Sequence, residues 1–268
     1  MNILAVDTSG AQAGIAAVQC EATGRAYPLA VRSLAQTRQL SRQIIASIDE
    51  TVCAASWTLD EIDAVAVGLG PGSWTGLRIG LTTCKTLAQV RGWKLCGVPT
   101  FDAMAYAVWH AAHEWDDSED KGDQSEVQLL ENFLLLATAP CRPGEIYGKI
   151  YECHPEYLAI VQSEWIGTPQ MMVDAVDAEE LAREMDAPLV LVGPASPAIE
   201  AALSARGTGS VSFPLSVETL SIEIGRHGAV LLENDETANP LDLQPLYLAP
   251  SAAERNLANA ESRTRKAE

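Results

Sequence analysis

A glycine-rich segment with the sequence GLGPGSWTGLRIG runs from Gly68 to Gly80. Such segments often bind phosphate, because backbone N–H groups can approach an anion closely where side chains are absent. The P-loop motif is not present, since Leu77 and Arg78 stand where it requires Lys and then Ser or Thr. The dinucleotide motif G-x-G-x-x-G fails in both possible registers, which end at Ser73 and Thr75. The segment therefore matches neither standard phosphate site.

Histidines and cysteines could supply a second kind of chemistry, metal binding. His110 and His113 could hold zinc from one helix face with Asp116 or Asp117, but the acidic sequence around them favours a solvated pair. The sequence HEWDD does not match the zinc-peptidase motif H-E-x-x-H. The six cysteines form no C-x-x-C pair, and no G-x-S-x-G nucleophile motif is present. We therefore predict no metal, no cofactor and no catalytic residue.

The composition is strongly acidic, with 18 basic and 36 acidic residues and a formal net charge of −18. Binding to a nucleic acid backbone depends mainly on Lys and Arg, so this surface is not expected to bind nucleic acid unaided. The short apolar run at the N-terminus is interrupted by Asp7 and so does not match a signal peptide. No apolar stretch approaches the roughly 20 residues of a membrane-spanning helix. Together with six scattered thiols, this composition predicts a cytoplasmic protein without membrane association.

Predicted strands and helices alternate along the chain, and the pattern occurs twice. The first strand, NILAVDT, resembles NFLLLAT at 132–138, and its hairpin partner resembles GEIYGKIYE at 144–152. The strand and loop before Gly70 likewise resemble PLVLVGPAS at 188–196. A single match of this kind could arise by chance, but three matches in the same order favour an internal duplication. The sequence therefore predicts a duplicated α/β architecture with two lobes.

Composition also places the lobe boundaries. The N-terminal lobe is expected to comprise residues 1–105 and to be completed by about 216–250. The C-terminal lobe is expected at 106–215, with an acidic loop at 113–126 that has almost nothing to bury and is predicted to be solvated and mobile. The polar tail, 251–268, is predicted to be a loosely docked helix or disordered.

The helix predicted from about Thr75 to Val90, capped by Ser73 or Thr75, carries a small residue at every fourth position. Glycine inside a helix costs roughly 1 kcal/mol relative to alanine, so close approach of another backbone must compensate. That backbone could belong to the chain's own sheet, which spacing alone favours, or to a partner helix. The small residues are Gly76, Gly80, Cys84 and Ala88.

Five segments together resemble the TsaB family, also called YeaZ: NILAVDTS, GLGPGSWTGLRIGL, GVPTFDAMA, GEIY and PLYL. The resemblance covers most of residues 1–110 and little of the second half. It implies the duplicated two-lobe fold of actin-like and Hsp70-like ATPases (the ASKHA fold). It also implies a non-catalytic accessory subunit that binds and activates TsaD, the enzyme that installs threonylcarbamoyl on the adenosine beside the tRNA anticodon. The ATPase TsaE joins that assembly, and tRNA is bound only through the complex.

Departures from the related ATPases imply a degenerate nucleotide site. Asp7, Thr8 and Ser9 keep the acid and a hydroxyl of the D-x-G-T turn but lack its glycine, so they are expected to form a vestigial nucleotide-binding site. Asp7 could equally cap the turn after its strand. In the second lobe, Ala137 stands where the matching acid is expected. Hydrolysis in this fold draws on both lobes, so no ATPase activity is expected.

The same resemblance separates this chain from TsaD. Sequences like TsaD carry two metal-binding histidines, one helical turn apart, after a strand that ends in Gly-Val. Thr100 and Met104 stand at these positions here, and neither is a plausible ligand for a hard or borderline metal. The chain is therefore expected to be the accessory subunit rather than the enzyme.

The resemblance further implies that two helices form one surface, used both for a homodimer and for TsaD. The two partners should then compete, since one patch cannot serve both at once. Arg78 on this surface could contact a phosphate or a carboxylate of a ligand or partner. The simpler expectation is an ordinary surface salt bridge. The residues expected at the interface are Leu40, Ile44, Ile48, Gly72, Ser73, Trp74, Thr75, Gly76, Arg78, Gly80, Cys84 and Ala88.

Two other functions stay open on the sequence. The chain could be an active ATPase or small-molecule kinase of the actin-like fold, against which the missing second acid counts. It could also be a tRNA-binding module acting alone, which the acidic balance opposes. A steady-state ATPase assay on the isolated chain tests the first, and a gel shift with and without TsaD tests the second.

Overall fold

The computed structural model describes residues 1–21, 25–35, 39–113, 130–183 and 187–249. The predictions for an acidic loop at 113–126, apart from His113, and for a tail at 251–268 lie outside the described residues. Among the residues that the structure describes, no helix is both long and apolar enough to cross a membrane.

The first half of the chain forms one five-stranded sheet. Its strands are β1 (Asn2–Asp7), β2 (Gln12–Cys20), β3 (Ala26–Ala35), β4 (Ala64–Gly68) and β5 (Lys94–Val98). They lie in the order β3-β2-β1-β4-β5, with β1 to β3 antiparallel and β1, β4 and β5 parallel. The parallel strands are apolar along nearly their whole length because both faces of the sheet are covered.

The second sheet repeats the first. Its strands are β6 (Phe133–Arg142), β7 (Glu145–His154), β8 (Tyr157–Gly167), β9 (Leu189–Val192) and β10 (Val211–Phe213). Their order is β8-β7-β6-β9-β10, which matches the first sheet strand for strand. In each sheet the first strand also pairs in parallel with the fourth strand, Leu4 with Val65 in the first sheet and Leu134 with Leu189 in the second. The predicted duplicated α/β architecture is confirmed.

Six α-helices cover the faces of these two sheets in the described residues. They are α1 (Leu40–Ala54), α2 (Trp74–Arg91), α3 (Thr100–His113), α4 (Pro169–Arg183), α5 (Ser196–Ser204) and α6 (Val217–Glu233). Helices α1 and α2 lie side by side on the outer face of the first sheet, and α4 and α5 lie on the outer face of the second. Helices α3 and α6 pack between the sheets, where one hydrophobic core takes side chains from both.

The last helix returns the chain to the first sheet. Helix α6 packs across β1 and β2, and the segment after it crosses the edge of the same sheet. The N–H of Ala238 donates to Leu95 O at 2.8 Å, and the N–H of Leu246 donates to Leu69 O at 2.9 Å. On these contacts we propose that residues of about 216–250 complete the N-terminal lobe, with the boundaries given above.

Candidate functional site

The turn after β1 is buried inside the protein. Asp7 and Thr8 are fully buried, and Ser9 is nearly so. Asp7 Oδ2 accepts hydrogen bonds from the Ser9 hydroxyl at 2.9 Å and from the Ser9 N–H at 3.3 Å. The carboxyl group thus holds its own turn in place, as a capping residue does.

The glycine-rich segment covers this turn. The N–H of Ser73 donates to Ser9 O at 2.7 Å, and a Cβ atom at Gly72 would overlap that same carbonyl oxygen. One turn along α2, a Cβ atom at Gly80 would overlap Thr8 Oγ1. Glycine is needed at Gly72 because two parts of the backbone meet there, and at Gly80 because the buried Thr8 side chain fills the space of a Cβ atom. The glycines therefore serve internal packing around a covered acidic turn.

Thr100 fixes the other end of the glycine-rich segment. Its hydroxyl accepts a hydrogen bond from the N–H of Gly70 at 3.0 Å, and its own N–H donates to Gly70 O at 2.9 Å. Both Thr100 and Met104, one helical turn later, are buried. The position that carries a metal ligand in TsaD-like sequences thus has a structural role here.

Helix α2 begins and ends as its sequence directs. The Ser73 hydroxyl accepts from the N–H of Gly76 at 3.2 Å, and Gly92 ends the helix in the left-handed conformation with φ 72°. Of the two predicted caps, Ser73 is the one used. The predicted helix at about 75–90 is present at Trp74–Arg91.

Seven residues predicted at the partner surface face the chain's own core instead. The spacing of apolar and small residues marks the buried face of a helix but does not say what covers it. Helix α2 packs on β4, and α1 packs on β2 and β3, so the chain's own sheet covers both. This is the alternative that spacing alone favoured, and a contact of these residues with a partner stays a prediction. They are Leu40, Ile44, Ile48, Gly76, Gly80, Cys84 and Ala88.

The opposite sides of the same helices are exposed and partly apolar. Ile45 on α1 is 52% exposed and Val90 on α2 is 74% exposed. Glu50, on the β3 side of α1, pairs with Arg32 at 2.8 Å, and Ile45 lies about 140° around the helix from it, toward α2. We define the α1–α2 face as the exposed side chains of Ile45, Thr75, Arg78, Thr82, Thr86 and Val90.

The sequence-based prediction missed four of these residues, Ile45, Thr82, Thr86 and Val90. It followed apolar periodicity and so identified the buried side of each helix. For the three on α2, the signal in the sequence is their position opposite the small-residue stripe. Of the predicted residues, Thr75 and Arg78 are exposed, while Gly72, Ser73 and Trp74 are half-buried at the edge of the face.

An aromatic cluster lies at one end of the α1–α2 face. The rings of Trp74 and Tyr247 stack with centroids 4.0 Å apart. The Arg78 guanidinium lies 4.4 Å from the Trp74 ring centroid, and its Nε donates to the Tyr247 hydroxyl at 3.0 Å. The late PLYL segment thus contacts the first turn of α2.

The sequence of this chain matches proteins of tRNA modification. The family model for TsaD, tRNA N6-adenosine threonylcarbamoyltransferase, matches residues 32–117. The tRNA threonylcarbamoyladenosine biosynthesis protein TsaB of Escherichia coli is 28% identical over 57% of this chain. The protein of the same name from Bacillus subtilis is 23% identical over 72% of this chain and 71% of its own length. The chain spans about half of the Escherichia coli and Haemophilus influenzae relatives, 55% and 52% of their lengths.

Solved structures agree with these matches. A Pseudomonas aeruginosa protein described as similar to peptidase YeaZ is 20% identical, with a TM-score of 0.67 over 92% of this chain and 99% of that chain. YeaZ from Pseudomonas aeruginosa gives a TM-score of 0.64 with the same coverage. In sequence and in fold, the chain is similar to the TsaB (YeaZ) proteins. Its two matching sheets, with α3 and α6 between them, form the actin-like ATPase (ASKHA) fold.

The second sheet of this chain has no acid at the position that matches Asp7. Ala137 occupies that position, is buried, and pairs across the strands with Lys149. Lys149 lies almost wholly inside the protein, where its Nζ donates to Asp102 Oδ1 at 2.6 Å and to Glu164 Oε1 at 2.8 Å. This ion cluster joins α3 to β7 and β8, and nothing in the sequence motifs indicated it.

The two histidines considered for zinc have separate partners. His110 Nδ1 lies 2.9 Å from Glu223 Oε2, whereas His113 contacts the carbonyl oxygens of Trp109 and Glu131, both at 3.1 Å. Within the described ranges, no group of three or more His, Cys, Asp or Glu side chains could hold a metal ion. Asp116 and Asp117 lie outside those ranges.

The buried turn makes stability depend on pH. Burial raises the pKa of Asp7 from 3.8 to about 6, and the hydrogen bonds from Ser9 act in the opposite direction more weakly. The folded protein therefore holds the Asp7 proton more tightly than the unfolded chain does. Ionisation of Asp7 thus lowers the free energy of unfolding as pH rises from about 4 to about 6, and the loss persists above that range.

Asp7→Asn should consequently stabilise the protein at pH 8. A rise in pKa from 3.8 to about 6 corresponds to roughly 3 kcal/mol. An amide oxygen accepts weaker hydrogen bonds from Ser9 than a carboxylate does, so we expect a net gain of about 2 kcal/mol. The gain should shrink as pH falls from about 6 to about 4 and vanish below about pH 3, where Asp7 is protonated in both states. Urea unfolding at pH 4, 6 and 8 measures this, with exposed Asp49→Asn as control; a difference independent of pH would contradict it.

Proposed function

We propose that this chain is a non-catalytic subunit in the biosynthesis of tRNA threonylcarbamoyladenosine, which acts in the cytoplasm by binding and activating TsaD. TsaE joins the complex, and tRNA is bound only through it. The observation that carries the proposal is the α1–α2 face, an exposed and partly apolar surface on two helices fixed to a rigid sheet. Large exposed apolar side chains that lie together are typical of protein interaction sites.

The buried turn supports a non-catalytic role. In an ATPase the acid after the first strand must reach the nucleotide and its metal, whereas Asp7 is covered by the glycine-rich segment. The second sheet supplies Ala137 where a second acid is expected. An active ATPase or kinase would need both groups open to substrate, so this alternative has less support than the accessory role.

The extent of the TsaD family match supports TsaD as the partner. Residues 32–117 include α1, the glycine-rich segment and α2, so proteins of the TsaD family share the sequence that builds this face. Two chains with equivalent faces can pair about a two-fold axis, whether they are identical or related. We therefore propose that a homodimer and the complex with TsaD use the same α1–α2 face and compete for it.

Ile45→Glu should weaken both associations by about tenfold or more, because it places a charge in the middle of an apolar contact. Ile160→Glu is a matched control, since Ile160 is 56% exposed but lies on β8 of the second sheet. Both variants should remain folded by circular dichroism. Light scattering reports the homodimer and calorimetric titration reports TsaD binding. If Ile45→Glu and Ile160→Glu bind TsaD with equal affinity, the α1–α2 face is not the interface.

A further inference from the structure

Positive charge is concentrated around α2. Between Asp63 and Asp102 the chain has no acidic residue, although the whole chain carries 36 of them and a net charge of −18. This stretch contains α2 and part of the α1–α2 face. It has four basic residues, Arg78, Lys85, Arg91 and Lys94.

Arg78 differs from its basic neighbours in how it is held. Lys85 Nζ donates to Leu243 O at 2.8 Å, and Arg91 lies 3.6 Å from Asp60. Arg78 is exposed, and no carboxylate among the described residues pairs with it. Instead, its guanidinium rests against the Trp74 ring and uses Nε for the Tyr247 hydroxyl. The expected surface salt bridge is thus not formed within the described part of the chain.

This arrangement leaves the two terminal nitrogens of an immobilised guanidinium for another ligand. A guanidinium fork binds a carboxylate through two parallel hydrogen bonds, and less entropy is lost when the side chain is already fixed. Arg, Trp and Tyr are also the residues that most often dominate the energy of protein interfaces. We propose that Arg78, held by Trp74 and Tyr247, is the anchor that binds a carboxylate on an acidic surface of TsaD.

The observations favour an acidic protein surface over the alternatives. A phosphate backbone is repelled by the net charge of −18, and the exposed apolar Ile45 and Val90 on the same α1–α2 face suit a protein contact. The proposed homodimer uses the same face but sets its basic residues against each other about the two-fold axis, so at low salt it should be weaker than the complex with TsaD. The inference rests on the proposed function and adds the chemistry of the partner's surface.

Titration of TsaD with Arg78→Gln tests this at low and high salt. Arg206→Gln removes the same charge from an arginine that pairs with Asp174 and Asp177 of the second lobe, and is the control. We expect Arg78→Gln to weaken binding about ten- to a hundredfold at low salt. Its affinity should also respond less to salt than that of the wild type. Arg206→Gln should bind as the wild type does, and Tyr247→Phe, which keeps the ring but loses the hydroxyl, should show an intermediate loss.

Each other outcome decides against the inference. If Arg78→Gln binds TsaD normally while Ile45→Glu does not, the proposed function stands and the anchor is wrong. If Arg78→Gln binds TsaD normally but the assembled complex loses tRNA, Arg78 binds a phosphate and the inference is overturned. If the wild-type chain does not bind TsaD, the proposed function fails and the inference fails with it.

Discussion

Gly80→Leu is expected to destabilise the fold strongly rather than to remove a partner. Gly80 lies on the side of α2 that faces the turn after β1, where any Cβ atom would overlap the hydroxyl of fully buried Thr8. The turn cannot withdraw easily, because Ser9 O is bonded to the N–H of Ser73 at the start of the same helix. An added leucine side chain therefore has to displace the helix from the sheet. We expect a loss of roughly 3 kcal/mol or more in the free energy of unfolding.

Thr82→Leu provides the comparison for this experiment. Thr82 lies two residues along α2 but on its exposed side, so the same side chain is accommodated without displacing α2. Urea unfolding followed by circular dichroism should show a large loss for Gly80→Leu and little change for Thr82→Leu. A folded Gly80→Leu protein that fails to bind TsaD would show that the small-residue stripe faces a partner after all, contrary to the packing described here.

The fold could be predicted from the sequence because its signals are local and repeated. The strand NILAVDT and its later counterpart each carry enough apolar residues to be identified alone, and their order specifies the duplication. The start of α2 was also predictable, since the serine hydroxyl at the N-cap accepts a hydrogen bond from an N–H group in the first turn of the same helix. Strand patterns and helix caps depend on residues that are close together in the sequence, so they can be identified without knowing the fold.

The site could be predicted only in part because its decisive contacts join distant residues. Small residues every fourth position are compatible with an internal or an external partner, and the contact of Gly80 with Thr8 that decides between them spans most of the first lobe. The support of Arg78 by Tyr247 crosses 169 positions. Periodicity identifies the face of a helix that is covered, whereas interaction with a partner uses the face that is left.

The buried ion cluster of the second lobe gives the other large effect. Lys149 places one ammonium between the carboxylates of Asp102 and Glu164, and the Tyr151 hydroxyl also donates to Asp102 Oδ1, at 2.6 Å. All of these groups are largely withdrawn from water, so the two carboxylates depend on Lys149 for compensation. Because Asp102 lies on α3 and Lys149 and Glu164 lie on β7 and β8, the cluster holds the central helix against the second sheet.

Lys149→Met should therefore cost about 3 kcal/mol in the free energy of unfolding at pH 8, since it leaves two half-buried carboxylates without a counter-charge. Lys94→Met is the control, because Lys94 is exposed on β5. Adding Asp102→Asn and Glu164→Gln to Lys149→Met should restore most of the stability, because a neutral cluster no longer needs the ammonium. Urea unfolding of the single and triple variants decides the point: a triple variant no more stable than Lys149→Met would mean that lost packing of the lysine chain, rather than uncompensated charge, causes the damage.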